Sequence, residues 1–294
     1  MKKMKLALIQ QQCSADKNAN LHYTCTQIEK AAQCGATVVA LVELHCGLYF
    51  CQQQDPAYFD LAENIPGPST EILARAARAS RVVVVASLFE KRAPGLYHNT
   101  AVVFETDGSI AGIYRKMHIP DDPGYNEKFY FAPGDLGFNP IRTSAGILGV
   151  LVCWDQWYPE AARLMTLAGA EVLIYPTAIG WDPADSPAEQ QRQLEAWQTI
   201  QRSHAIANGI HVAAANRIGF EPDQSGRLPG AQFWGNSFIA GPQGEILTQA
   251  SADRAEILIA DIDLERTENT RRIWPFLRDR RVDAYTEITQ RFRT

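Results

Sequence analysis

The 294-residue sequence has no apolar run approaching the roughly 18 residues that a membrane-crossing helix needs. Residues 1–12 lack the ordered charge, long apolar stretch and small-residue cleavage site of a secretory signal. A cytoplasmic location and no membrane partner are therefore expected. No linker rich in Gly, Ser or Pro divides the chain, and no self-similar period of about 20 to 50 residues recurs. Solenoids and propellers are excluded, and one domain over residues 1–294 is expected. An excess of positive charge is missing too, since 28 Lys and Arg stand against 33 Asp and Glu, so general nucleic-acid binding is not expected.

Metal and nucleotide signatures are equally scarce. No two of the six cysteines have CxxC spacing, and a chain of this length does not depend on disulfides as small secreted domains do. Cys13, Cys25, Cys34, Cys46 and Cys51 are expected to pack as small apolar residues. His98 and His118 have no spaced ligand partner, and His204 with His211 does not make a helical i, i+4 pair, so no zinc site is expected. There is no GxSxG elbow, Walker A loop or GxGxxG fingerprint.

What is present is α/β alternation in a sequence that is 46% hydrophobic. Short apolar runs read as strands at 5–11, 37–44, 82–90, 100–105, 109–115, 146–153, 172–175, 211–216, 237–240, 245–249 and 257–261. Turn residues 106–108 and 242–244 mark hairpins. Helical spacing occupies 18–33, 69–80, 159–167 and 190–207. Sheets packed together beneath outer helices follow. Residues 264–294 hold eight arginines and five acids, and are expected to form a solvated or subunit-contacting segment.

The chemistry concentrates where strands end. At 149–160 an apolar strand runs into Cys153, with a helix starting at Pro159. A nucleophile on such an elbow projects from the sheet edge, and the helix start is expected to stabilise its thiolate and offer N–H groups to an oxyanion. Taken alone, a buried strand cysteine is more often inert packing. Two further charges alter that balance: Glu43 ends one strand, and Lys116 ends another in Tyr114-Arg115-Lys116-Met117-His118-Ile119-Pro120. A base and a cation beside a thiol supply what a group with a pKa of about 8.5 lacks at neutral pH.

Glu43 in its strand end, Lys116 in YRKMHIP and Cys153 in VCWDQWYPEAARL occur in the order of the nitrilase superfamily of carbon-nitrogen hydrolases, which the chain resembles over nearly its whole length. The resemblance implies a four-layer αββα sandwich, a Glu-Lys-Cys triad, a homo-oligomer and no metal or organic cofactor. It implies Cys153 as nucleophile, Glu43 as proton acceptor, Lys116 and the Trp154 N–H as oxyanion donors, and Glu127 as a second glutamate that orients substrate and Lys116.

Relatives acting on acidic substrates carry an arginine shortly after the cysteine, whereas here none occurs before Arg163. A carboxylate would lose its forked partner, which favours an amine-ended substrate over an N-carbamoyl amino acid. The resemblance implies N-carbamoylputrescine as that substrate, with N-carbamoyl-β-alanine, an aliphatic amide or a catalytically silent polyamine-binding homologue as the alternatives. Asp182 is the first candidate for the distal ammonium, with Asp121 and Asp122 in reserve. Tyr49, Tyr125 and Trp154 are candidate walls.

Overall fold

The computed structural model describes residues 4–293. Residues 1–3 and 294 lie outside it, so the domain expected over 1–294 and the stretch 264–294 are seen only within those limits. The first part of the chain supplies β1 (Met4–Gln10), α1 (Lys17–Gln33), β2 (Val38–Ala40), α2 (Pro68–Ser80), β3 (Val83–Ala93), β4 (Leu96–Phe104) and β5 (Ile110–Arg115). A short α3 (Glu127–Tyr130) leads to β6 (Ile141–Arg142), β7 (Ile147–Val150), α4 (Pro159–Leu167), β8 (Val172–Pro176), β9 (Gly180–Trp181) and α5 (Pro187–Asn208). Then come β10 (His211–Ala215), β11 (Ile218–Pro222), β12 (Gly230–Trp234), β13 (Phe238–Ala240), β14 (Ile246–Gln249), β15 (Glu256–Ile262) and α6 (Leu264–Ile273).

Two six-stranded sheets result, ordered β15-β1-β2-β3-β4-β5 and β14-β13-β10-β8-β7-β6. Each has a parallel centre made by helical crossovers: β1, β2 and β3 through α1 and α2, and β7, β8 and β10 through α4 and α5. Parallel strands need such connections, which place helices on the sheet faces. Side-chain alternation then sorts residues between layers. Leu6, Leu8, Val38, Ala40, Val83 and Val85 meet Val150, Val172 and Ile174 between the sheets, while Ala7, Ile9, Val39 and Val84 face Leu21 and Ile28 of α1 and Leu73 of α2. The same inner cluster continues to Ala161 and Met165 of α4 and Trp197 of α5. The architecture is the expected αββα sandwich. Burying each such side chain contributes about 1.5–3 kcal/mol.

The two functional strands are shorter than their apolar runs suggest. The run at 37–44 contains only Val38–Ala40 as strand, because the Glu43 amide leaves its own sheet and bonds the Thr177 carbonyl of the other at 3.2 Å. The run at 146–153 ends as strand at Val150, and Cys153 opens a 3-10 turn, Cys153–Trp157. The helix read at 190–207 begins earlier, at Pro187, because Ser186 caps it by accepting the Glu189 amide. A third sheet, β11-β12-β9, was not legible from periodicity, since β9 has two residues and β11 reads buried at only two positions, Ile218 and Glu221. Among the described residues no helix is long and apolar enough to cross a membrane.

Beyond α6 the chain forms short turns that leave apolar side chains open, with Val282 68% and Phe292 82% exposed. Surface of this kind is normally covered by a partner. Removing residues 274–294 is expected to lower a particle mass in solution that exceeds one chain, and sedimentation measures it; an unchanged mass would remove this segment from subunit contact.

Candidate active site

The C-terminal ends of β2, β5, β7 and β8 converge on one point between the sheets. Glu43 and Lys116 are wholly buried there, as is Glu127 from α3, and Cys153 is 5% exposed. Lys116 Nζ donates to Glu43 Oε1 at 2.8 Å and to Glu127 Oε2 at 2.7 Å. Asn99 Nδ2, on the neighbouring β4, donates to the same Glu43 Oε1 at 2.7 Å, whereas Glu43 Oε2 is buried with no hydrogen-bond partner. That unengaged oxygen has the chemistry of a proton acceptor. The Tyr49 hydroxyl donates to Glu127 Oε1 at 2.7 Å, so both oxygens of Glu127 are engaged.

Cys153 has φ +42°, a left-handed conformation that costs a residue with a Cβ about 1–2 kcal/mol. Asp155 holds the turn in place: it is fully buried and accepts the amides of Val152 (2.9 Å) and His118 (3.0 Å), the Tyr114 hydroxyl (2.8 Å) and the His118 ring at Nδ1 (2.7 Å). The thiol reaches the Ala178 carbonyl at 3.8 Å, at the end of β8. The Asp155 amide closes the turn on the Val152 carbonyl at 3.0 Å, which leaves the Trp154 amide as the first N–H after the thiol.

Electrostatics separate the groups. Burial disfavours the Lys116 ammonium, but Glu127 and Glu43 outweigh burial and hold its pKa well above the ordinary lysine value. Burial, opposed by Lys116 and reinforced by Glu43, raises the Glu127 carboxyl to about 7 from an ordinary 4.5. The Cys153 thiol is pushed well above its usual range, first by burial and then by Glu43, with Lys116 opposing them. This corrects the expectation of a thiolate stabilised by the helix start. The proton stays on sulfur until a base removes it.

The remaining sequence candidates divide. Tyr49 and Tyr125 come together with ring centroids 5.5 Å apart, and the Tyr125 hydroxyl accepts the Gly180 amide at 3.0 Å. Trp154 is half-buried, its indole N–H donating to the Tyr158 hydroxyl at 3.1 Å. Asp182 is exposed and uses Oδ1 to accept the Ala184 amide at 2.8 Å; Asp121 and Asp122 are exposed too. His118 belongs to the Asp155 network and stacks on Tyr158 at 3.7 Å. A cavity of about 410 Å³ includes Leu44 and Tyr49 in its lining but none of Glu43, Lys116, Glu127 and Cys153, so it is separate from the charged cluster.

Sequence reasoning did not single out Asn99, Asp155, Asn216, Arg217 or Glu221. The strand-end argument that picked Glu43 and Lys116 applies equally to Asn216 and Arg217, which follow β10. Asn99 lies inside a strand and carried no signal.

Residues 5–272 match the family described as carbon-nitrogen hydrolase. An N-carbamoylputrescine amidase of Oryza sativa is 41% identical over 285 residues, covering 96% of this chain and 93% of the relative. A citrullinase of Francisella tularensis is 38% identical over 293 residues, 99% of this chain and 100% of the relative. The crystal structure of a carbon-nitrogen hydrolase from Helicobacter pylori superposes with a TM-score of 0.96 at 53% identity, over 99% of this chain and 100% of that one.

Glu127 sets a pH dependence whose sign follows from its raised pKa. At this carboxyl the folded state binds more protons than the unfolded state between pH 4.5 and about 7. The stability contributed by this carboxyl is fully present below that window and is lost as pH rises through it. Tm measured across the window should therefore fall more steeply for the wild type than for Glu127→Gln; parallel curves would contradict the raised value.

Proposed function

Because the chain belongs to the carbon-nitrogen hydrolase family, whose chemistry is hydrolysis of carbon-nitrogen bonds in amides, we propose that it converts N-carbamoylputrescine and water to putrescine, ammonia and carbon dioxide. This would place it in putrescine synthesis from agmatine. The observation that carries the substrate reading is the engagement of the nearby arginines. Arg115 is forked onto Glu90 at 2.8 and 2.7 Å. Arg163, the first arginine after Cys153, lies on α4 beside Arg280, with Nη2 donating to the Ala207 carbonyl at 2.9 Å and Nη1 buried without a partner among the described residues. Arg217 is bound to Glu221 and three backbone carbonyls. Lys116, between two carboxylates, leaves the cluster without positive charge to spare for a substrate carboxylate. A ureido amine with a cationic tail suits that surrounding better than an acidic one. Similarity to the rice amidase supports the same choice.

In the proposed mechanism Cys153 Sγ attacks the carbamoyl carbon while Glu43 Oε2 takes its proton. Lys116 and the Trp154 N–H hold the tetrahedral oxyanion; each preorganised donor of this kind is typically worth about 3 kcal/mol. Glu43 returns the proton to the departing nitrogen, putrescine leaves, and a carbamoyl thioester remains on Cys153. Water, deprotonated by Glu43, hydrolyses the thioester to carbamate, which decomposes to ammonia and carbon dioxide. Glu127, itself held by Tyr49, keeps Lys116 aimed at the oxyanion. Tyr49, Tyr125 and Trp154 wall the four-carbon chain, and Asp182, two residues beyond the Gly180 that binds Tyr125, receives the distal ammonium.

The citrullinase relative marks the rival substrate: citrulline has the same ureido end but a carboxylate at the other. Ammonia release should be fastest with N-carbamoylputrescine and slower with citrulline and N-carbamoyl-β-alanine. Preference for either acid would overturn the charge argument. Cys153→Ala should abolish turnover, and mass spectrometry of quenched wild-type enzyme should find a carbamoyl group on Cys153 alone. Asp182→Asn should weaken use of N-carbamoylputrescine more than use of an uncharged carbamoyl alkylamine; equal losses would remove Asp182 from that role.

A further inference from the structure

Behind the base lies a second buried ion pair that touches none of the reacting groups' side chains. Arg217 and Glu221 are both 0% exposed, with Arg217 Nη1 and Glu221 Oε1 2.8 Å apart. The other Arg217 bonds all end on the turn after β2. Nε and Nη2 donate to the Glu43 carbonyl at 3.1 and 2.9 Å, Nη2 also donates to Leu44 at 2.6 Å, and Nη1 donates to Gly47 at 3.0 Å. Guanidinium has five N–H donors, and these five bonds use them all. Glu221 Oε2 in turn accepts the Tyr49 amide at 2.6 Å. One pair therefore grips the backbone of Glu43 and, six residues on, that of Tyr49, whose hydroxyl holds Glu127.

The turn needs such a grip. Leu44 has φ +49°, outside the range comfortable for a branched side chain, and three carbonyls of the turn point at one place. Without a fixed donor there they would repel one another. The residue before Arg217 does the corresponding work on the nucleophile's side: Asn216 Oδ1 accepts the Ile179 amide and Nδ2 donates to the Ile179 carbonyl, both at 3.0 Å, next to the Ala178 carbonyl that meets Cys153. Burying an ion pair is no cheap route to stability, since apolar residues of equal volume often do as well.

We propose that Arg217 and Glu221 are positioning residues for the hydrolysis: they fix the backbone from which Glu43 reaches Cys153 and Tyr49 reaches Glu127. The proposal rests on the reading of Glu43 as the base. It predicts that loss of the clamp lowers kcat rather than binding, because a displacement of about 1 Å at a reacting group costs up to about 100-fold in rate.

The test uses full-length Arg217→Lys, which keeps the charge but loses the fork, and Glu221→Gln, which keeps one acceptor and is the milder change. Each should lower kcat by about 10- to 100-fold, with KM moved far less and a folded circular-dichroism spectrum. Wild-type turnover per folded molecule in both variants would overturn the proposal even if Tm fell, since a lower Tm alone is what a purely structural pair predicts. A second measurement needs no amide substrate: the rate of Cys153 alkylation by iodoacetamide across pH, in wild-type and Glu43→Gln backgrounds. Acting mainly through Glu43, Arg217→Lys and Glu221→Gln should alter that rate far more in the first background than in the second, where only the Tyr49 arm remains. Equal effects in both backgrounds would overturn the clamp. Failure of N-carbamoylputrescine as substrate would leave this result intact and identify the substrate reading as the one that failed.

Discussion

One ammonium held between two carboxylates, all three out of reach of solvent, is the constraint around which the site is organised. Bringing each of these charges out of water costs several kcal/mol, and the return depends on every lone pair and proton finding a partner. Asn99, Tyr49 and Lys116 provide those partners for three of the four carboxylate oxygens. The fourth, Glu43 Oε2, is left unpaired, and a buried unpaired acceptor stores the cost of its own desolvation. A thiol proton, an amine or a water arriving there relieves that cost. The excess of carboxylates over ammonium explains why burial lifts Glu127 toward neutrality.

The sandwich makes this cluster possible because strands of two sheets finish at the same level. In each sheet the parallel centre has its C-terminal edge on the same side, and the Glu43 amide crosses from one sheet to a carbonyl of the other. Glu43 and Lys116 come from the first sheet and Cys153 from the second, so relative sheet position sets the distance between them. Asn216 and Arg217 sit at the seam, bonded to Ile179 on one side and to the turn bearing Glu43 on the other. Rigid packing on both faces of the sheets, with Val85, Val150 and Ile174 fully buried, keeps the seam from drifting.

Charge also connects the site to the substrate reading. Arg115, Lys116 and Arg217 are engaged internally, by Glu90, by Glu43 and Glu127, and by Glu221 with backbone carbonyls. What remains for a ligand is an unpaired carboxylate oxygen, the Trp154 N–H and aromatic side chains. On the proposed reading these would take a neutral carbamoyl head and an amine tail.

The strand and helix order, the two hairpins, and Glu43, Lys116 and Cys153 at strand ends were legible in the sequence, because apolar periodicity and its interruption by a charge or a turn are local properties. Cys153 stood apart from five other cysteines for the same reason: an apolar run stops there and a helix begins. Other features became visible only in three dimensions. Apolar runs over-extended β2 and β7, since where a strand ends depends on which neighbour still offers a ladder. Burial and Glu43 push the Cys153 thiol up against the opposing pull of Lys116, a balance that only folding sets. Asn99 and Glu221 lay outside every strand read from the sequence, and only folding placed them against Glu43 and Arg217. Sequence therefore determined the family of chemistry by supplying its reactive groups in order. Tertiary structure alone decided their protonation, orientation and support, which depend on desolvation and on partners brought together from distant parts of the chain.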